Sequence, residues 1–422
     1  MELMPGYKPS DVGVIPGEWD AKLLGDIGDS LIGLTYRPSE VRKYGTLVLR
    51  SSNVQNGTLC FDDNVFVEAD IPERIMVRPG DILVCVRNGS RDLIGKSALI
   101  DERAIGMTFG AFMGVFRSDH GQLLHHVFQS GIFKKQINEH LGATINQITN
   151  KSLNSFKVPL PPTNEERTKI AKALSDVDAL LATLDQVIVK KRDLKQAAMQ
   201  QLLTGKTRLP GFSGDWQKKT LGELGSTYGG LTGKTKSDFG AGAGKYITFM
   251  NVMTNVVIDC ASFEQVKVSA TETQNRVLVG DLLFNGSSET PEEVAFCSLM
   301  AEDVPDLYLN SFCFGFRLFD DQNVDGLFLT YYIRANPGRE IMKSLAQGST
   351  RYNLSKTALR EASVLLPLKD EQVAIAEVLS GMDAELIALE ARRYKTRDIK
   401  QAMMQELLTG KTRLIAKEER HV

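Results

Sequence analysis

What this 422-residue chain lacks narrows its function before any motif is read. It has five cysteines, Cys60, Cys85, Cys260, Cys297 and Cys313, odd in number, scattered and never spaced as C-x-x-C. Neither a disulfide framework nor a zinc site is indicated, and the thiols read as reduced and mostly buried. No apolar run approaches the roughly 20 residues that cross a bilayer, and the start MELMPGYKPSDVG lacks the basic and apolar regions of a signal peptide, so a cytoplasmic location is expected, away from membranes. The histidines, His120, His125, His126, His140 and His421, leave the second globular segment without any, which excludes a catalytic histidine common to both halves.

Nucleotide and base chemistry are missing too. Gly-Lys-Thr stands at Gly205, Gly233 and Gly410, but a phosphate loop needs a glycine five positions earlier, where Gln200, Tyr228 and Gln405 stand. The glycine run from Gly240 to Gly244 follows polar residues rather than a strand and reads as a flexible loop. The [N/D]-P-P-[Y/F] tetrapeptide with which adenine methylases hold a flipped base is absent: Pro161-Pro162 follows Leu160, and Asn336-Pro337 precedes Gly338. No catalytic constellation and no metal set emerges. A formal net charge of −2 leaves the partner open, because a local basic surface can be offset elsewhere.

What the chain does have is a duplication. The octapeptide LLTGKTRL occurs at Leu202 to Leu209 and again at Leu407 to Leu414. Shifting the sequence by 205, from Leu202 to Leu407, also superimposes Ile170 on Ile375, Leu174 on Leu379 and Asp178 on Asp383. Upstream, Trp19 and Leu24-Gly25 parallel Trp216 and Leu221-Gly222, Gly33-Leu34-Thr35 parallels Gly230-Leu231-Thr232, and Pro79-Gly80-Asp81-Ile82-Leu83 parallels Val279-Gly280-Asp281-Leu282-Leu283. Each half is a variable globular domain followed by a nearly repeated helix.

Pro161 and Pro162 bar helix before Asn164, a possible cap, and Glu165 and Glu166 suit the positive end of the dipole. Pro367, Asp370 and Glu371 repeat the pattern. Apolar residues then alternate steps of four and three at Ile170, Leu174, Val177, Leu181, Leu184 and Ile188, and at Ile375, Leu379, Met382, Leu386 and Leu389. That is a coiled-coil seam. It blurs at Lys191 to Lys195 and Arg393 to Lys400, and is expected to resume with Leu194, Ala198 and Leu202 and with Ile399, Met403 and Leu407, until Gly205 and Gly410 stop the helices. Rods of roughly 60 Å follow from 1.5 Å per residue, and burial against each other is their simplest arrangement.

The expected fold is therefore mixed α+β, with two globular domains in tandem and two long helices pairing as an antiparallel coiled coil with pseudo-twofold symmetry. The boundaries read as 1–160 for the first globular domain, 161–209 for the central helical region, 210–366 for the second domain, 367–414 for the distal helical region and 415–422 for a tail. Alternation at Lys96 to Ile100, Gly106 to Arg117 and Asn310 to Phe319 predicts half-buried strands. Three loops recur in register and carry side chains suited to bases and phosphates. They are Thr35, Tyr36, Arg37, Arg42 and Lys43 with Thr232, Lys234, Thr235 and Lys236; Arg87, Asn88, Ser90 and Arg91 with Asn285, Ser287 and Ser288; and Thr144, Asn146 and Gln147 with Thr350, Arg351, Tyr352 and Asn353. Any one could be a plain solvated turn, but doubled loops favour a ligand with repeated structure, such as duplex DNA.

From about Gly17 to Leu414 the chain resembles the specificity subunit of type I restriction-modification enzymes. The carriers are the Pro-x-x-x-Glu helix starts (Pro162 to Glu166, Pro367 to Glu371), the twin LLTGKTRL ends, the Trp and Leu-Gly openings and the Gly-[Ala/Ser]-Thr loops at Gly142 and Gly348. The resemblance implies a non-catalytic subunit whose two target recognition domains each read half of a split DNA site, with the helices as spacer and docking platform. It implies two copies of a methyltransferase subunit for adenine N6 and, in the restricting complex, motor-endonuclease subunits. S-adenosylmethionine, ATP and Mg would then belong to those partners, with no cofactor in this chain. The competing reading is a coiled-coil scaffold with two protein- or glycan-binding heads, and a self-contained DNA-modifying enzyme is disfavoured by the missing motifs.

Overall fold

A computed structural model describes residues 5–141, 146–319 and 323–415. Contacts divide the chain into two compact units, Met1–Asp185 with Arg392–Val422, and Gln186–Ala391. Each unit therefore joins one globular domain to the start of its own long helix and the end of the other. The central helix spans Asn164–Leu202 and the distal helix Lys369–Leu407, 39 residues each.

The two globular domains share one plan. In the first, antiparallel strands lie in the order Ser97–Leu99, Ile82–Cys85, Met113–Arg117, Asp29–Ile32. The second repeats it as Cys297–Leu299, Leu282–Asn285, Cys313–Leu318, Gly225–Gly229. One face is covered by paired helices, Gly121–Gln129 and Gly131–His140 in the first domain, Gly326–Arg334 and Asn336–Leu345 in the second. Buried aromatics fill the layer between, with Phe128 stacked on Phe133 at 4.2 Å and Phe284 on Phe314 at 5.3 Å. A second small sheet backs each core, and in both a short strand pairs in parallel, Thr108–Phe109 with Thr46–Leu49 and Leu307–Leu309 with Phe239–Ile247.

Each domain is pinched at a two-stranded stem. Asp20–Leu23 pairs antiparallel with Lys157–Leu160, and Gln217–Thr220 with Ser363–Leu366. The chain enters and leaves each domain through hydrogen-bonded neighbours.

Within each unit the helix segments run antiparallel. Asp178 meets Lys400 and Asp185 meets Arg393 in the first unit; Asp383 meets Lys195 and Glu385 meets Lys191 in the second. Seam residues Ile170, Leu174, Leu184, Ile188, Ile375, Leu379 and Leu386 are buried, and Val177, Leu181, Met382 and Leu389 half-buried. Gly205 and Gly410 adopt φ of 68° and 69° and end the helices. The N–H groups of Thr207 and Thr412 then donate back to the carbonyls of Gln201 and Glu406, so the Gly-Lys-Thr of each octapeptide closes a helix end.

Four expectations are corrected. Leu194 and Ile399 do not resume the seam: both are 47% exposed. The following lysines, Lys195 and Lys400, face inward instead because each finds an aspartate on the facing helix. Thr163, not Asn164, caps the central helix, its hydroxyl accepting from the Glu166 N–H at 3.3 Å. The Gly240 to Gly244 run is part of the strand Phe239–Ile247, where both Phe239 and Gly244 pair with Val266 across a bulge that glycine permits. Finally, Gly106 to Arg117 is not one strand. A turn between Gly110 and Met113 transfers the chain from one sheet to the other, and Asn310 to Cys313 does the same in the second domain.

Candidate nucleic-acid interface

The repeated Gly-Asp pairs set the base of each candidate site. Gly80 and Gly280 take φ of 93° and 85°. Asp81, 2% exposed, receives Nε and Nη2 of Arg117 at 2.8 and 2.7 Å, and Asp281 receives Arg317 in the same bidentate way at 2.7 and 2.6 Å. Charge-assisted pairs of this geometry fix the strand that follows. That strand carries the chain to Arg87 in one domain and Ser287 in the other.

There the loops singled out by the sequence meet. In the first domain Arg87 bridges Gln147 in antiparallel register, and the Asn146 amide donates to the Gly89 carbonyl at 3.3 Å. In the second, Ser287 pairs with Asn353 and Ser288 with Tyr352. Gly33 and Gly230 bring the Gly-Leu-Thr loops against the sheet-crossing turns: a Cβ there would lie 2.4 Å from the Gly110 carbonyl and 2.1 Å from that of Asn310. The Gly-Leu-Thr loop and the turn it meets bound a cleft in each domain. Thr35, Tyr36, Ser51, Ser52 and Phe112 line the first, and Thr232, Ser287, Asn353, Lys356 and Phe312 the second.

The remaining candidates sort by what their side chains already do. Arg87, Ser90, Arg91, Thr350 and Arg351 are exposed, as are Arg37 and Lys43, and Tyr352 is half-buried. Arg91 donates to the Leu141 carbonyl at 3.0 Å, and Asn88 to the Ser51 hydroxyl at 3.4 Å. Arg42 lies on the edge strand Val41–Arg42, its guanidinium bonded to the Ser39 and Val41 carbonyls. Lys234 is tied to Glu272, whose carboxyl the ammonium draws down to about 2, and Thr235 bonds Asp238. Lys236 is exposed beside it. Asn285 is fully buried and its amide holds the Ser287 and Glu293 carbonyls; the Ser288 hydroxyl turns to Glu293. Thr144 lies outside the described residues.

Several residues escaped the sequence reading. Phe112 and Phe312, at the sheet-crossing turns, are 61% and 58% exposed. Arg117 and Arg317 sit at the same offset from each other as Asp81 and Asp281, a signal the repeat did contain. The arginine of each octapeptide reaches the glutamate of a Pro-x-x-x-Glu helix start: Arg413 grips Glu166, and Arg208 grips Glu371. Both glutamates are buried.

One cluster among the described residues has a metal donor set, His125, His126 and Asp178, with ligand atoms within 4.8 Å of one another. The Lys400 ammonium lies 2.5 Å from Asp178, a charge that opposes a dication and marks the cluster as an ion-pair network. Burial holds both imidazoles neutral, His125 down to about 3 and His126 to about 4. The second unit has Tyr331 where the first has His126, its hydroxyl donating to Asp383 at 2.6 Å.

Comparison with known proteins agrees with the duplication. Residues 16–190 and 213–396 match the type I restriction modification DNA specificity domain. The chain is 25% identical over 404 residues to the type I restriction enzyme StySPI specificity subunit of Salmonella potsdam, covering 90% of this chain and 85% of that one. It is equally 25% identical over 451 residues to a putative type I restriction enzyme MjaX specificity subunit of Methanocaldococcus jannaschii, covering 97% of each. In fold it is similar to the crystal structure of the type I restriction-modification system S subunit from M. genitalium, with a TM-score of 0.59 at 15% identity, over 96% of this chain and 99% of that one.

Proposed function

The chain belongs to the type I restriction modification DNA specificity family, and from that premise we propose that it is the DNA-reading subunit of a type I restriction-modification complex. Each globular domain reads one half of a bipartite site. The paired helices set the unread spacer and dock two methyltransferase subunits, which methylate adenine N6 under its direction; motor-endonuclease subunits complete the restricting assembly. The chain itself carries no catalytic step, and S-adenosylmethionine, ATP and Mg act on its partners in the cytoplasm.

The observation that carries this reading is the paired cleft, bounded in both domains by the same two segments, the Gly-Leu-Thr loop and the sheet-crossing turn, yet lined otherwise by different side chains. One framework holding two chemistries suits a ligand with one backbone and two sequences. The exposed arginines and hydroxyls supply phosphate and base-edge contacts. Long-read mapping of methylated adenines in the host, with this chain deleted and then restored, tests it: one split motif should vanish and return. Methylation that is indifferent to the deletion would refute the proposal.

A further inference from the structure

Phe112 and Phe312 occupy the third position of equivalent turns, Gly110 to Met113 and Asn310 to Cys313, at the rim of the two clefts. An isolated exposed apolar residue needs no explanation. A matched pair does, for three reasons.

First, the turns are anchored to the loops proposed to read DNA. The Phe112 carbonyl accepts the N–H of Val86 and of Arg87, both at 3.1 Å, and the Phe312 carbonyl accepts the Gly286 N–H at 2.9 Å. Second, each ring lies under a guanidinium, Arg87 at 5.3 Å from the Phe112 centroid and Arg351 at 5.6 Å from that of Phe312. The two arginines come from different loops. The counterpart of Arg87 in the second domain is Ser287, so the pairing is not a relic of duplication but has been assembled twice on the same phenylalanine. Third, both arginines are exposed, and among the described residues neither guanidinium has a hydrogen bond or an ion pair within the chain. A ring held outward, with a pre-positioned fork of free N–H groups above it, matches a stacked base beside a phosphate.

Building on the DNA-reading role, we infer that Phe112 and Phe312 are the DNA-deforming wedges of the two domains, each inserting at a base step of its own half-site. Arg87 and Arg351 bind the adjoining phosphates. Apolar wedges of this kind partly unstack and kink a duplex.

The test uses the full chain co-purified with its methyltransferase subunit and duplexes carrying the mapped methylation motif, with 2-aminopurine placed at successive steps of either half-site. The wild-type complex should raise the fluorescence at one step in each half. Phe112→Ala should abolish the rise in one half only and weaken binding roughly ten- to hundredfold; Phe312→Ala should do so in the other. Phe→Tyr variants should retain both signals. Because these rings are exposed, truncation removes no core packing, and unchanged melting of the variants checks that. Selective wild-type binding with both Ala variants at wild-type affinity and fluorescence overturns the wedges alone. Failure of the wild-type complex to prefer the mapped motif over an unrelated duplex overturns the DNA-reading role, and the wedges with it.

Discussion

The arginine at the seventh position of each octapeptide closes its unit through a buried carboxylate. Glu166 is inaccessible to solvent, and its oxygens take Nε and Nη2 of Arg413 together with the indole N–H of Trp19 at 3.2 Å. Arg413→Ala should cost about 3–5 kcal/mol in urea unfolding, most of it the penalty of an uncompensated buried charge. Adding Glu166→Gln to that variant should recover much of the loss, and a double-mutant cycle with additive effects would show that the two groups do not act together. The histidine pair gives a second test. Burial keeps His125 and His126 neutral in the fold, at about 3 and about 4, while Asp178, Lys400, Ser175 and Gln129 surround them. The unfolded chain takes up protons near pH 6.5 and the folded chain does not, so their contribution is complete above about 6.5 and drains as pH falls toward 4. Each histidine should remove up to about 1.4 kcal/mol per pH unit in that window. His126→Tyr, which copies Tyr331 of the other unit, should flatten about half of that slope between pH 6.5 and 5; a slope unchanged in the variant would exclude His126 as its source.

The long helices were legible from sequence because seven-residue patterning reports burial directly, and the seam positions from Ile170 to Ile188 and from Ile375 to Leu389 are all buried or half-buried. The pattern failed at Leu194 and Ile399 because an inward lysine is decided by an aspartate on another helix, which periodicity along one segment does not encode. The loops fared likewise. Their register repeats picked out the Arg87, Gln147, Ser287 and Asn353 loops without showing that they pair, and the wedge-bearing turns were read through as strand, since Phe112 and Phe312 continue an alternating pattern that only a change of sheet interrupts. If the helices fix the spacer, lengthening both by four residues, after Leu184 and after Leu389, adds about 6 Å, close to two base pairs. Methylated adenines mapped in cells carrying that variant should move apart by about two positions, with both half-sites unchanged. Retention of the original spacing would remove the helices from that role.

At the scale of the molecule, the contacts close on themselves: the first unit contains both Trp19 near one end of the chain and Arg413 near the other, joined through Glu166. The chain joins each globular domain to this frame through a stem, and the domain's helices pack on the long helices. Asp20–Leu23 and Lys157–Leu160 lie side by side, so the intervening segment begins and ends at one place, and so does the segment between Gln217–Thr220 and Ser363–Leu366. Such a stem lets a domain change sequence without moving the frame, which explains why the helices nearly repeat while the domains diverge. Replacing residues 20–157 by the corresponding segment of a homologous chain should therefore alter one half-site and preserve the other half-site and the spacer. The replaced domain must keep the side chains that pack on the frame, Leu123, Leu124 and Val127 against Ile170, Ala171 and Leu174, or the exchange will fail in folding rather than in reading. Melting of the purified chimera separates those two failures, and methylation mapping then decides the matter. A folded chimera that changes both half-sites would mean that the two domains do not read independently.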